Sequence, residues 1–338
     1  MPRCLLLLLF LLGGFTARAQ QEFTIDDFSS DYVARIHVDT LFRGWVGVYD
    51  QKTKRQLVRV ASADLSEGLD GNLLGSSGAR LPYAEQHVLI SGDFNFDGRP
   101  DLAIQEGRNS CHLNPSFKVY LATPAGFAHS EEFSYLAQAY CGMFGVDAER
   151  QRLSVQQMGH WGQESVEFSV RDNKPFRISS SREDQSQYPF VRYSQEEWNG
   201  SRLVSRAWRE LELGPGEAIC AFPLVESGKR VVLFVLDSRV LCYALLRRDD
   251  SVEFNYPTLL AEEAPPFTLH QTGSGLSLRF QNGAARYEIR ETPAGQLTVT
   301  ARFGAKTRQL TGAATRKTGS LRPLLTMQLD NLTLPPPQ

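Results

Sequence analysis

The sequence predicts an all-β protein, an antiparallel β fold of propeller-like or sandwich-like architecture with few helices. Short runs of alternating apolar and polar residues recur along most of the chain, and turn-forming residues separate them at hairpin spacing. Many short strands at regular spacing are typical of sandwiches, barrels and propellers. Apolar residues at helical spacing are scarce, and one candidate helix is the segment 24–32, which begins with a plausible cap and an acidic first turn.

The first 19 residues read as a secretory signal peptide. Arg3 supplies the positive charge, Cys4 to Leu12 form the apolar segment, and Ala17-Arg18-Ala19 is a small-residue cleavage site. A membrane anchor needs about 18 unbroken apolar residues, and Gly13-Gly14 interrupts the run. We therefore expect residues 1–19 to be removed, the mature chain to begin at Gln20, and no membrane span to remain.

The net charge and the cysteine content of the chain indicate which partners and which covalent bonds to expect. The formal net charge is −2 and the basic residues are scattered, so no nucleic-acid partner is expected. Of five cysteines, four lie outside the leader, and an even number in an exported chain favours disulfides. Among the three possible connectivities we favour the local pairs, Cys111 with Cys141 and Cys220 with Cys242. A metal cluster is the weaker alternative, because the spacings contain no CxxC.

Four predicted hairpins, taken in the order in which they occur along the chain, support the prediction of strands. In each, two alternating or apolar runs flank a polar turn. The Asn282-Gly283 pair in the last is a strong hairpin signal, because both residues tolerate a positive φ. The predicted strand pairs are 45–50 with 57–60, 166–170 with 176–178, 231–236 with 240–246, and 276–280 with 287–289.

The segment "SGDFNFDGRPDLAI", residues 91–104, concentrates acidic residues between two apolar runs. Its oxygen-bearing side chains stand at positions 1, 3, 5 and 9 of an EF-hand-like calcium loop, with Gly98 at position 6 for the sharp bend. The predicted ligands are Asp93, Asn95, Asp97 and Asp101 through their side chains and Arg99 through its backbone carbonyl. Ile104 replaces the glutamate expected at position 12. The alternative is a plain turn with solvated carboxylates, but this density of negative charge favours bound Ca²⁺ with a structural role.

A polar, turn-rich change in composition at residues 182–187 indicates a domain seam between about residues 183 and 205. We predict a calcium-loop β domain over residues 20–190 and a second β domain, or additional blades, over residues 191–333. Residues 334–338 form a proline-rich tail that we expect to be disordered.

Five segments over about residues 44–184 carry a family resemblance, in the order "VGVYDQKTKRQLVRV", "DFNFDGRPDLAI", "PSFKVYLATPAGF", "GMFGVDAERQRLSV" and "VEFSVRDNKPFRI". They resemble bacterial periplasmic proteins that combine a small propeller-like or lysozyme-inhibitor-like β fold with one calcium loop. The loop alone also resembles integrin-type FG-GAP repeats. The resemblance implies a periplasmic or secreted protein of the bacterial envelope, with calcium supporting the fold.

The resemblance also implies an inhibitor or immunity protein that blocks peptidoglycan hydrolases, such as lysozyme-like effectors. In that family the blocking element is the loop after the calcium site, here residues 106–116. This sequence departs from the glycine- and tyrosine-containing family pattern at Cys111, His112 and Leu113. Arg108 and His112 would meet the acidic groups of a hydrolase cleft. The predicted partner-binding residues are Gly107, Arg108, Asn109, Ser110, His112 and Asn114.

An envelope adhesion or scaffold protein with the same structural calcium site, but without inhibition, is the alternative. Enzymatic activity is not predicted, because no nucleophile or acid–base pair stands out. His160 and Glu164 lack the HExxH arrangement of a zinc site, and the surrounding segment predicts a turn with a packed Trp161.

Overall fold

The computed structural model describes residues 21–25, 28–65, 88–258 and 266–334. Within them the chain forms antiparallel sheets, a single α-helix and short 3₁₀ turns, so the predicted all-β class is confirmed. The predicted signal peptide, residues 1–19, lies outside the described residues, as do residues 335–338 of the predicted tail.

The chain divides into two compact units, Met1–Met158 with Glu164–Ser180, and Gly159–Gln163 with Ser181–Gln338. The domain division predicted after residue 190 stays a prediction.

The first unit begins with two four-stranded antiparallel sheets, each a meander in chain order. Valines 46, 48, 58 and 60 are buried at alternate positions of neighbouring strands, as the sequence alternation predicts. The first sheet consists of β1 (Gln21–Ile25), β2 (Tyr32–Val38), β3 (Gly44–Asp50) and β4 (Gln56–Ser62). The second consists of β5 (Leu89–Gly92), β6 (Asp101–Gly107), β7 (Ser116–Thr123) and β8 (Gly126–Ser130).

Helix α1 (Glu131–Ala139) follows β8, and the sequence analysis did not predict it. Ser130 caps its first turn by accepting a hydrogen bond from the Phe133 N–H, and two glutamates lie at the positive end of the helix dipole. The helix predicted for 24–32 is wrong, because β1 pairs with β2 there and buries Ile25 at a strand position.

The first unit continues through β9 (Gly145–Asp147), β10 (Arg152–Gly159) and β11 (Gly162–Arg171) into β12 (Lys174–Asp184), where the chain passes to the second unit. The turn between β10 and β11 is confirmed. The predicted packing of its tryptophan is wrong, since the Trp161 side chain is 61% exposed.

The second unit consists of further antiparallel meanders, with β25 joining β19 in parallel. Its strands are β13 (Phe190–Trp198), β14 (Leu203–Leu211), β15 (Ala218–Pro223), β16 (Arg230–Leu236), β17 (Val240–Leu246), β18 (Val252–Tyr256), β19 (Phe267–Thr272), β20 (Gly275–Asn282), β21 (Ala285–Glu291), β22 (Leu297–Phe303), β23 (Lys306–Thr311), β24 (Thr318–Gly319) and β25 (Leu332–Thr333).

Two predicted hairpins of the second unit are present. Asp237 and Ser238 join β16 to β17 with positive φ angles of 51° and 58°, the conformation of a type I′ turn. Between β20 and β21 the two turn residues are Gly283 and Ala284, because Asn282 still pairs with Ala285. The predicted hairpin is therefore present, with its turn displaced by one residue.

The first predicted disulfide, Cys111–Cys141, is present. The second is wrong, because Cys220 and Cys242 are both free and buried. Cys220 pairs in register with Leu233, whereas Cys242 pairs with Phe234 on the opposite pleat. Residues one position apart in a strand point to opposite faces, so the two thiols lie in separate hydrophobic clusters on the two sides of one sheet.

Candidate functional site

The predicted calcium loop connects β5 to β6 and closes around Asp93. The Asp93 carboxylate accepts hydrogen bonds from the backbone N–H groups of Asp97, at 3.0 Å, and Gly98, at 2.8 Å. Phe96 and Gly98 adopt positive φ angles of 62° and 85°, which turn the chain sharply. The first loop position is thus an acceptor at the centre of a tight turn.

Asp101 lies at the start of β6 and is fully buried. One carboxylate oxygen accepts from the N–H groups of Phe94, at 2.8 Å, and Asn95, at 3.3 Å, and the other accepts from Ala122 N–H, at 2.7 Å. Burial raises the pKa of Asp101 to about 6, against the opposing effect of these three hydrogen bonds. Asp101 therefore joins the loop to β7 from inside the protein.

Asn95, Asp97 and Arg99 form a polar cluster on the loop. The Arg99 guanidinium lies 2.6 Å from an Asp97 carboxylate oxygen, and this hydrogen bond lowers the pKa of Asp97. The Asn95 amide group donates to Asp97, at 3.0 Å, and to Asn173 in the turn between β11 and β12, at 3.1 Å. The side chain of Arg99 thus supplies the positive charge that balances Asp97.

The donor set of this loop matches calcium in type. Hard cations prefer carboxylate, amide and backbone carbonyl oxygens, and an EF-hand residue at position 9 often acts through water, so Asp101 can keep its internal hydrogen bonds. The Asp97–Arg99 ion pair competes for one of the predicted ligands. Among the described residues, no three histidine, cysteine or acidic side chains are grouped as a metal site.

The loop between β6 and β7, residues 107–116, is held by its own hydrogen bonds. Arg108 Nε donates to the Leu113 carbonyl at 2.7 Å, and Asn109 N–H donates to the Ser116 hydroxyl at 3.2 Å. Asn114 N–H donates to the carbonyl of Cys111 at 3.0 Å. These bonds span the loop and fix its curvature.

Contacts with neighbouring segments of the first unit anchor this loop further. The Cys111–Cys141 bridge crosses to the segment after α1, and the Ser110 hydroxyl accepts from Gly142 N–H at 2.9 Å. His112 Nε2 lies 3.1 Å from the Met158 carbonyl, which can only accept, so this nitrogen carries the proton. The tip of the loop is therefore held at several points.

The exposed surface of the loop differs from the predicted set of binding residues. Gly107 and Ser110 are buried, and a partner contact through these two residues stays a prediction. Asn109 and His112 are exposed, whereas Arg108 and Asn114 are half-buried. Leu113 is 69% exposed, and the sequence analysis did not select it as a contact. A large apolar residue within an otherwise polar loop is the signal that identifies it.

At the tip of the loop, His112 and Leu113 adopt a left-handed backbone conformation. His112 and Leu113 have φ angles of 51° and 61°, an arrangement that costs energy for residues with side chains. Met158, whose backbone carbonyl contacts His112, is also exposed, at 53%. The loop thus presents apolar and polar groups from a constrained backbone.

No protein-family model and no curated protein matches the chain. Among the described residues, no helix has the length and apolar character needed to cross a membrane.

Several solved structures share limited similarity with the chain. A Xanthomonas type IV secretion system related protein is 16% identical, covering 55% of this chain and 92% of its own, with a TM-score of 0.41. The Pseudomonas aeruginosa periplasmic gluconolactonase is 13% identical over 87% of this chain and 85% of its own, with a TM-score of 0.21. The Aleuria aurantia lectin is 9% identical over 88% and 96%, with a TM-score of 0.20. Because these TM-scores are below 0.5, none of the three carries an argument about fold or function.

Proposed function

We propose that this protein is exported to the bacterial envelope and binds another protein through the loop at residues 107–114, which we call the recognition loop. Its target is a peptidoglycan hydrolase of lysozyme-like type, which it inhibits. The observation that carries the proposal is a loop tied by a disulfide and hydrogen bonds that nevertheless exposes Leu113 at its tip. The disulfide also supports export, because such bonds persist in oxidising compartments.

Constraint of the recognition loop favours binding for an entropic reason. Ordering a flexible loop and its side chains opposes association, and a loop that is already ordered avoids most of this cost. An exposed apolar side chain on a fixed backbone can fill a pocket of the partner, as interface anchors do. We assign Leu113 as this anchor, with Asn109 and His112 as polar contacts beside it.

Charge supports a hydrolase as the partner. The cleft of a glycoside hydrolase contains a pair of carboxyl groups, and residues 107–116 contain no acidic side chain to repel them. His112 and Arg108 bring hydrogen-bond donors to the same loop. Occupation of the cleft by the loop would exclude substrate, so no chemical step by this chain is needed.

A binding and inhibition assay tests the proposal. The mature protein is mixed with a panel of lysozymes and bacterial toxin hydrolases, and residual cell-wall hydrolysis and affinity are measured. Leu113→Ala and His112→Ala should each weaken binding about tenfold or more, as expected for central interface contacts. Val225→Ala is the matched control, because Val225 is similarly exposed at 64% but lies in the second unit.

The outcomes separate the candidate functions. Binding without inhibition would favour the adhesion or scaffold alternative, and turnover of a cell-wall substrate by the protein alone would make it an enzyme. Absence of both binding and inhibition across the panel would refute the inhibitor.

We further propose that the loop at residues 93–101 binds Ca²⁺ through Asp93, Asn95, Asp97 and the Arg99 carbonyl, with Asp101 acting through a water molecule. The bound cation would neutralise the carboxylates and hold β5 against β6. This proposal is supported by the oxygen donors on one tight turn and by the exposure of the Arg99 side chain, whose ion pair with Asp97 a cation could replace.

Thermal unfolding in calcium and in chelator tests the calcium proposal. Calcium should raise the melting temperature of the mature protein, and Asp93→Ala combined with Asp97→Ala should abolish that increase. Asp249→Ala combined with Asp250→Ala, in a turn of the second unit, is the control and should keep it. Identical melting of the unmodified protein with calcium and with chelator would remove the site.

A further inference from the structure

The second unit contains a cavity of about 470 Å³ on the sheet formed by β19 to β23. Strand alternation directs Leu269, Leu278, Ile289 and Val299 into the hydrophobic core. The opposite face is polar, and it supplies the charged lining of the cavity. Those charged residues are Arg279, Arg286, Glu288 and Arg302, and we call their cavity the arginine cavity.

Two of the arginines face each other across neighbouring strands. Arg286 on β21 is the direct register partner of Arg302 on β22. Like charges directly opposite each other destabilise an antiparallel pair. In the described part of the chain, neither guanidinium has a hydrogen-bonded or ion-paired partner, and Arg302 acts on Glu288 only through longer-range attraction. Both side chains are exposed, so solvent screens their repulsion, and neither guanidinium is held by a hydrogen bond or ion pair within the described residues.

The third arginine is paired. Arg279 donates from Nε, at 3.1 Å, and Nη2, at 2.9 Å, to one oxygen of Glu288. The Ser277 hydroxyl donates to the same oxygen, so the second Glu288 oxygen remains available as an acceptor. Three arginines and one glutamate give the lining a formal charge of +2. The cavity therefore attracts anions while keeping one carboxylate oxygen.

Neutral polar groups line the cavity as well, together with Pro266, Phe280 and Tyr287. Thr268 is the register partner of Arg279, Thr300 that of Glu288, and Gln281 that of Arg286, so all three share the polar face. Hydroxyl and amide groups at these positions can bind sugar hydroxyls. A volume of about 470 Å³ lies within the range of small-molecule sites.

We propose that the arginine cavity binds a small anionic carbohydrate, a sugar acid or a sugar phosphate. Arg286 and Arg302 bind the anionic group through paired charge-assisted hydrogen bonds, as guanidinium groups bind carboxylate and phosphate. Thr268, Thr300 and the free oxygen of Glu288 bind the hydroxyls. This site is separate from the recognition loop and does not depend on the proposed inhibition.

Calorimetric titration of the mature protein tests this inference, with glucuronate, glucose 6-phosphate and neutral glucose as probes at low ionic strength. Saturable binding of a charged probe is expected, with glucose much weaker. Arg286→Gln combined with Arg302→Gln should reduce affinity roughly 10- to 100-fold, the loss expected for removing hydrogen bonds to a charged group. Arg308→Gln is the control, because Arg308 is exposed on β23 outside the cavity lining.

A stronger response to glucuronate identifies carboxylate as the recognised group, and a stronger response to glucose 6-phosphate identifies phosphate. Added salt should weaken either. No saturable binding of either charged probe would overturn the inference, as would equal binding by the Arg286→Gln, Arg302→Gln protein.

A melting experiment without ligand gives an independent measurement. Arg286→Gln alone removes the repulsion from Arg302 and should leave the melting temperature unchanged or raise it by about 1–3 °C. Marked destabilisation would assign Arg286 a structural role and contradict the inference.

Discussion

Asp101 illustrates, at the scale of a single residue, how a buried carboxylate can organise a loop. It accepts backbone hydrogen bonds from Phe94 and Asn95 near the start of its own loop and from Ala122 in β7. An unpaired buried polar group is costly, so each of these N–H groups needs an acceptor in this position. The same residue that completes the calcium pattern in the sequence therefore has a structural task independent of any ion.

Replacement of this carboxylate should destabilise the protein even without calcium. In Asp101→Asn the amide NH₂ would face a backbone N–H donor, which leaves one buried donor without an acceptor and costs about 1–3 kcal/mol. Urea unfolding in chelator measures the difference. Asp97→Asn, at an exposed position, is the control and should cause a much smaller loss. Equal stability of Asp101→Asn and the unmodified protein would contradict the structural role.

The free thiols give a second prediction at this scale. Burial raises the pKa of Cys220 and of Cys242 to about 12, so both remain protonated and unreactive. A thiol-reactive dye should detect no thiol in the native mature protein and two after unfolding without reductant. Detection of none after unfolding would mean that these cysteines are bridged.

At the scale of elements, α1 is joined to β7 through a buried hydroxyl. Ser134 accepts from Val119 N–H at 2.8 Å and donates to the Ser130 carbonyl at 2.6 Å. Phe133, Leu136 and Ala137 bury the apolar side of the helix in the same cluster as Phe117 of β7. The helix thus covers the sheet that also leads into the recognition loop.

Removal of that hydroxyl should weaken the packing of the helix. Ser134→Ala leaves Val119 N–H without its acceptor, and the expected loss is about 1–3 kcal/mol in urea unfolding. Tyr135→Phe, one residue along the helix at a 63% exposed side chain, should unfold like the unmodified protein. A neutral Ser134→Ala would show that the hydroxyl contributes nothing to stability.

At the scale of the whole molecule, each unit contains its own hydrophobic clusters. The first unit buries Ile36, Val46 and Val60 in one cluster and Phe117 and Phe144 in another. The second unit buries two further clusters on the two faces of the sheet that contains β16 and β17. We therefore expect local unfolding within each unit to depend on the contacts of that unit.

Hydrogen exchange should reveal where calcium acts. If Ca²⁺ binds at residues 93–101, chelation should speed exchange in β5, β6 and β7, because local opening depends on the contacts of that region. Exchange in β19 to β23 should be unaffected. Peptide-level mass spectrometry measures both. Unchanged exchange around the calcium loop, or equal acceleration in both units, would count against a local structural site.

Much of the fold could be predicted from patterns within short segments of the sequence. The alternation of Val46 and Val48 predicts a half-buried strand from a few adjacent residues, and the apolar runs 231–236 and 240–246 predict the hairpin that joins them. These features depend on residues close together in the chain, so the sequence alone determines them.

The remaining features depend on register between strands and on burial, which only the tertiary structure decides. Whether Cys220 can reach Cys242 depends on the pleat on which each lies, and a shift of one residue reverses it. Strand register places Arg286 opposite Arg302 on the next strand, so that the two positive charges face each other. The fold likewise places three backbone N–H donors around the buried Asp101 carboxylate. The sequence by itself determined the strand pattern, the turns and the polar loops of this protein. Its tertiary structure decided which side chains meet, because cross-strand contacts are set by pairing partners distant in the chain.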